Sequence, residues 1–136
     1  MSLSDHIGDM LTIIRNATRA KHDEAEARRS KLTLAILEVL RRERYIHDFK
    51  SIEDNKQGKV RIYLRPPLGI EGRPMRRITQ IQRVSRPGLR RYAASGEIPR
   101  VLNGLGMCVV STSRGIMSGD EARRSRVGGE VILKIW

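Results

Sequence analysis

Cysteine, aromatic residues, acidic residues and long apolar runs are all scarce in this 136-residue chain. The single cysteine, Cys108, cannot close an intramolecular disulfide, so a disulfide-stapled scaffold is excluded and a reducing, cytoplasmic setting is expected. It lies in the apolar run 107–110, where a thiol behaves as a small buried hydrophobe, and it is expected to be inert. The three histidines, His6, His22 and His47, are scattered, which argues against a metal site. There is no phosphate-binding Gly-x-x-x-x-Gly-Lys loop, and Gly104-Leu105-Gly106 lacks the third glycine of a dinucleotide fingerprint. Ser111 and Ser113 stand in no Gly-x-Ser-x-Gly elbow. No catalytic residue, metal, cofactor or small-molecule substrate is therefore expected. No segment approaches the ~18 apolar residues needed to cross a bilayer, and the first five residues do not open a secretion signal. With only Tyr45, Phe49, Tyr63, Tyr92 and Trp136 as aromatics, the chain also lacks the bulky apolar face of a membrane-surface helix.

What is abundant is positive charge. The 27 Lys and Arg outnumber the 15 Asp and Glu for a net charge of +12, and 21 of the cations are Arg, whose planar fork pairs phosphate bidentately and stacks on bases. The charge is uneven: +4 over residues 1–68 and +8 over 69–136. Residues 73–91 hold seven Arg (73, 76, 77, 83, 86, 90 and 91) and no acid, a field suited to a polyanion.

The pattern along the chain is mixed. Leu3, Ile7, Met10, Leu11 and Ile14 recur at helical spacing, predicting a helix over about residues 4–20 capped by Ser4 or Asp5. Ser30 is the cap of a second helix bearing Leu32, Ile36, Val39 and Leu40, with Arg41, Arg42 and Arg44 at its C-terminal end. Residues 22–29 between them read as a loop or a poor edge strand. Ile46, Phe49 and Ile52, a turn at 54–58, and the alternation of Val60, Ile62 and Leu64 predict an antiparallel hairpin. Residues 66–74, with three Pro and two Gly, form a linker. Beyond it, residues 75–85 suggest a bulged strand, Pro87-Gly88 a turn, and Ser95 the cap of a short helix bearing Ile98, Val101, Leu102 and Leu105. The run 107–110 predicts a doubly buried strand, Ser118 with Glu121 a capping box, and 131–136 a final strand. The expected class is α+β in two small domains: 1–68, two helices with a short antiparallel sheet, and 69–136, mostly β with short helices.

The most informative stretch is Ser111-Thr112-Ser113-Arg114-Gly115. Three hydroxyls, each donor and acceptor, stand beside an Arg and a Gly that permits close backbone approach, a surface able to contact bases, 2′-hydroxyls and phosphates. The same residues also suit a turn whose hydroxyls bond their own backbone.

Several segments together carry a resemblance. These are Asp9-Met10-Leu11-Thr12 with Ile14-Arg15-Asn16, Ser30-Lys31-Leu32, Arg83-Val84-Ser85-Arg86-Pro87-Gly88-Leu89-Arg90, Pro99, Gly104-Leu105-Gly106, residues 109–115, and Gly128-Gly129-Glu130. Spread over almost the whole chain, they resemble the family of the eighth protein of the small ribosomal subunit in its bacterial form. The resemblance implies a two-domain α+β protein of the cytoplasmic ribosome that grips the central domain of small-subunit ribosomal RNA early in assembly and neighbours other ribosomal proteins, the fifth among them. It places the main contacts on Ser111, Thr112, Ser113 and Gly115, with Arg114 alongside, supported by Gly128, Gly129, Glu130 and Tyr92. The N-terminal domain adds Ser30 and Lys31, while Arg86 and Arg90 belong to the basic stretch. Some members also repress translation of their own messenger.

Three departures stand out. Arg114 replaces the Lys common in relatives, residues 24–29 are more polar than the short strand expected there, and 66–77 is richer in Pro, Gly and Arg. The competing classes are a lipid-binding basic protein, a nucleic-acid enzyme and a basic RNA-binding protein acting outside the ribosome. The few aromatics weaken the first. The dispersed acids Glu71, Glu97, Asp120, Glu121 and Glu130 weaken the second.

Overall fold

A computed structural model describes residues 5–67 and 74–136. The chain divides into two compact units, Asp9–Ile78 and a second that joins the chain start, up to Gly8, to Thr79–Trp136. The expected domain boundary at 68/69, and most of the 66–74 linker, lie outside the described residues.

The first unit contains most of helix α1 (His6–Arg19), strand β1 (Glu24–Arg28), helix α2 (Lys31–Arg42) and strands β2 (Asp48–Ile52) and β3 (Lys59–Tyr63). Asp5 caps α1 by accepting a hydrogen bond from the Gly8 amide at 3.1 Å. The helix buries Met10, Leu11, Ile14 and Ala17, one face at the period that the sequence shows. At α2, Ser30 Oγ accepts from the Thr33 amide (3.1 Å) while Thr33 Oγ1 accepts from the Ser30 amide (2.8 Å), a reciprocal cap built with threonine instead of glutamate. The sheet order is β1-β3-β2, all antiparallel, with Val60, Ile62 and Leu64 turned inward.

The polar stretch before Ser30 is a strand after all. All five residues of β1 pair with β3. Its inward side chains are alanines, of which Ala27 is buried, and across the pair Arg61 donates to Glu26 at 3.0 Å. Opposite charges facing each other on neighbouring strands support pairing where bulky residues are lacking.

The second unit is a five-stranded antiparallel sheet centred on β8 (Gly129–Ile135). On one side of β8 lie β4 (Ile81–Arg83) and β5 (Tyr92–Ala93), and on the other β6 (Met107–Thr112), which forms a hairpin with β7 (Gly115–Ser118). Helix α3 (Gly119–Arg124) is capped by Ser118, whose Oγ accepts from the Glu121 amide at 3.2 Å. Cys108, Val110, Met117, Ala122 and Val131 form a core with Ile98 and Val101.

Two expectations for this unit are corrected. Residues 75–85 give a regular strand only at Ile81–Arg83, and the sheet's register shift lies instead where β6 meets β8. There Val109 pairs with Leu133 but Val110 with Val131, leaving Ile132 as the extra residue, which is how Val131, Ile132 and Leu133 are all buried in succession. The helix expected after Ser95 is replaced by two single 3-10 turns, Ser95–Glu97 and Leu102–Gly104. Leu102, Asn103 and Gly104 have φ of 47°, 53° and 93°, left-handed values that no α-helix holds, so Ile98 and Val101 turn into the core while Leu102 and Leu105 face solvent.

Candidate nucleic-acid interface

The β6–β7 hairpin places the hydroxyl segment. Thr112 pairs with Gly115, so Ser113 and Arg114 form a two-residue turn, and Gly115, at φ +112°, takes the left-handed conformation that closes it. Thr112 is the structural hydroxyl: Oγ1 donates to the Gly115 carbonyl (2.8 Å) and accepts from the Arg114 amide (3.1 Å). Among the described residues, no partner engages the hydroxyls of Ser111, half-buried, and Ser113, exposed. The turn alternative is thus realised at Thr112, while the hydroxyls of Ser111 and Ser113 are left available.

The register past the bulge sets what stands beside Ser111. Tyr92, Glu130, Ser111 and Ile116 are successive Cα partners across β5, β8, β6 and β7, so their side chains share one face in a single row. Ala93, Gly129, Thr112 and Gly115 form the next row. Gly128 and Gly129 keep these strands close, for a Cβ on Gly129 would collide with the Ser111 carbonyl and one on Gly128 with that of Ala93. Tyr92 is 73% exposed, an aromatic ring left open to a stacking partner.

Along the row, Glu130 organises a network. Its Oε2 accepts from the Ser85 hydroxyl and from Arg90 Nη1 (2.9 Å), and Ser85 Oγ in turn accepts from the Arg91 amide (3.1 Å). Burial opposes ionisation of Glu130, but the bonds from Ser85 and Arg90 prevail and hold its carboxyl below the ordinary carboxylate range. Val131 closes the loop between them, accepting from the Ser85 amide (3.1 Å) and donating to the Arg91 carbonyl (2.9 Å). Inside that loop the Pro87-Gly88 turn is bridged by Arg86 and Leu89, as the sequence predicts.

The basic stretch is therefore divided in use. Arg83, with a side chain only 9% exposed, pairs with Asp5 (3.3 Å) and donates to the Ile132 carbonyl (3.0 Å). Arg90 pairs with Glu130, and Arg76 makes a cation–π contact with Tyr45. No ion pair among the described residues holds Arg77, Arg86 or Arg91, all exposed, and Arg73 lies outside them. In α3, Arg123 is likewise occupied, donating to the carbonyls of Ile98 (3.0 Å) and Pro99 (3.4 Å) and pairing with Asp120. Arg114, Arg124 and Arg126 project freely by the same criterion.

Of the candidate residues, Tyr92, Ser111, Thr112, Ser113, Arg114, Gly115, Gly128, Gly129 and Glu130 are brought together, with Arg86 and Arg90 on the loop that Glu130 anchors. Ser30 and Lys31 belong to the other unit, where Ser30 is committed to the cap and Lys31 is exposed in the first turn of α2. A cation at a helix N-terminus gains nothing from the helix dipole and is free for an outside anion. Ser85, a fully buried hydroxyl, was not singled out as a functional residue. Its only signal was its place within the Arg-Val-Ser-Arg-Pro-Gly segment.

This arrangement offers neutral hydrogen bonds, a stacking ring and unpaired guanidinium groups on one rigid sheet end. The sequence profile described as Ribosomal protein S8 matches residues 5–136. The chain is 49% identical over 136 residues to the small ribosomal subunit protein uS8 of Halalkalibacterium halodurans, with all of both chains covered. It is 49% identical over 137 residues to the protein of the same name in Leuconostoc mesenteroides and 48% over 136 to that of Desulforamulus reducens, again over full lengths.

Proposed function

The chain belongs to the ribosomal protein S8 family and is a structural constituent of the small ribosomal subunit, and from that premise we propose that it binds the central domain of small-subunit ribosomal RNA directly through the β6–β7 turn. The observation that carries this reading is the pair of unpartnered hydroxyls on Ser111 and Ser113, beside the exposed Tyr92 ring and within reach of a basic loop. An irregular RNA helix exposes base edges and 2′-hydroxyls, which such donor-acceptor groups read, and unstacked bases that Tyr92 covers. Arg86, Arg91 and Arg114 supply phosphate contacts that position the RNA without reading its sequence. Glu130 works from within: it holds the 85–91 loop on β8 and so fixes where Arg86 and Tyr92 stand. Lys31 adds a phosphate contact from the other unit. Binding of this kind, made to one rRNA site before the subunit is complete, organises the surrounding platform, where the fifth ribosomal protein is a neighbour. A messenger presenting a like-shaped RNA would compete for the same turn, which is the route to self-repression.

The test has two parts. The protein is expected to co-sediment with small subunits through a salt wash, and to bind a hairpin from the rRNA central domain at least a hundredfold more tightly than an unrelated duplex. Retention of hairpin preference without co-sedimentation would place its RNA outside the ribosome, and equal binding to both RNAs would refute sequence- or shape-specific recognition.

A further inference from the structure

In the unit Asp9–Ile78, a cleft of about 470 Å³ opens beside the segment that follows the undescribed residues. Leu64, Met75 and Ile78 form its apolar part, and Arg65, Arg76 and Arg77 its cationic part. Arg76 is held at three points: its amide donates to the Arg44 carbonyl (2.8 Å), its Nη1 donates to Tyr45 Oη (3.2 Å), and its guanidinium lies over the Tyr45 ring at 5.3 Å. Tyr45 is buried, yet Arg76 is exposed. The guanidinium is therefore held against the Tyr45 side chain by a cation–π contact and a hydrogen bond while the residue stays exposed. Arg77 has no partner among the described residues, and Arg65 has only a loose one, Asp23 at 3.9 Å between two exposed side chains.

A staple for the chain would need only the backbone bond and the contact with the Tyr45 ring. It would not need two further arginines around an apolar hollow. A flat ring that stacks on a guanidinium, prefers an apolar side wall and carries negative charge at its edge fits all of these features, and the ring with phosphate of a nucleotide is such a group. We propose that this cleft binds one unstacked nucleotide, its base against Arg76, Met75 and Ile78, its phosphate between Arg65 and Arg77. The site is independent of the β6–β7 turn. Its source is either a single-stranded stretch of RNA or a free nucleotide.

The test uses the full chain and follows the Met75 methyl and Tyr45 ring resonances during titration with hexa-adenylate, adenosine monophosphate and inorganic phosphate. Both nucleotide ligands are expected to shift these resonances saturably. Hexa-adenylate binding much tighter than the monophosphate would identify RNA as the source, and equal affinity per nucleotide would identify the free nucleotide. Arg76→Lys, which keeps the charge and the backbone bond but loses the plane, should weaken hexa-adenylate binding about tenfold, as expected for a lost stacking platform. Arg77→Ala, at a side chain with no partner among the described residues, should weaken it about threefold and reduce its salt dependence. No shift at Met75 and Tyr45, an equal response to phosphate alone, or undiminished binding in both variants would each overturn the proposal. Hairpin-against-duplex discrimination, read on the same samples, reports the β6–β7 turn, so the two readings fail separately.

Discussion

At the start of α2, Ser30 and Thr33 bond each other and the backbone around them, whereas in the β6–β7 turn only Thr112 does so and the hydroxyls of Ser111 and Ser113 have no partner among the described residues. The arginines repeat the contrast. On the first unit's sheet and helix α2, Arg29, Arg41 and Arg61 meet Glu53, Glu38 with Asp48, and Glu26. In the second unit Arg83, Arg90 and Arg123 are paired too, but Arg86, Arg91, Arg114, Arg124 and Arg126 stand without ion pairs among the described residues. A hydroxyl already satisfied within the fold must break a bond to serve a ligand, while a hydrated one merely exchanges water for RNA. The same residue types thus build structure in one place and stay available for contacts in the other, and the difference lies in whether the fold supplies them a partner.

The contrast is broken most severely at Gly129. If close strand approach is what presents Ser111, then Gly129→Ala, whose Cβ would strike the Ser111 carbonyl, should cost about 3 kcal/mol of stability by overpacking. Urea unfolding reads this, and a loss under 1 kcal/mol would mean that the β6–β8 contact yields easily. Ser30→Ala should cost about 1 kcal/mol, the worth of a helix cap, and leave RNA discrimination intact. Reduced RNA affinity at unchanged stability would instead move Ser30 to the interface.

Adjacent arginines of α3 sharpen the comparison further. Arg123→Ala removes donors to the Ile98 and Pro99 carbonyls and should cost about 1 kcal/mol of stability. Arg124→Ala should leave stability unchanged and lower the log-log salt slope of RNA binding by about 0.7 to 0.9, one phosphate contact. Identical behaviour of the two variants would erase the distinction between occupied and free cations.

Acid should weaken the fold through the occupied pairs, which protonate only below the ordinary carboxylate range. Burial disfavours the charge of both Asp5 and Glu130, but Gly8 and Arg83 for the first, and Ser85 and Arg90 for the second, hold their folded carboxyls below the unfolded values. A lowered folded pKa contributes stability that is present above the unfolded carboxylate value, about 4, and is lost as pH falls through the folded one. Unfolding midpoints measured from pH 6 downward should therefore fall on the acid side, and the fall should be shallower in Glu130→Gln.

Much of this was legible locally. The helical period and Ser30 foretold α2, alternation foretold β3, and the apolar run 107–110 foretold β6, because each signal lies within one element. β1 was harder to read because its inward residues are alanines and its support, Arg61, is 35 positions from Glu26. Residues 95–106 misled because Ile98, Val101, Leu102 and Leu105 imitate a helical face, although three left-handed residues part the first two from the last. At the interface, the segment 111–115 was visible as a unit. The separation of Thr112 from its serine neighbours was not, nor was the pairing of Arg83 with Asp5 or of Ser85 with Glu130, since these partners lie 78 and 45 residues apart.

That Ser111 and Ser113 read RNA because the fold leaves them free is our proposal. Its most direct test is the double variant Ser111→Ala with Ser113→Ala, titrated against the rRNA hairpin and an unrelated duplex at two salt concentrations, with stability measured on the same preparation. Removing hydroxyls that have no internal partner should change stability by less than about 0.5 kcal/mol. Leaving matched RNA groups unpaired, at about 1 to 3 kcal/mol, should weaken hairpin binding more than tenfold while duplex binding and salt slope stay as they were. Equal loss for both RNAs, or full discrimination retained, would contradict the account and make the segment a structural turn.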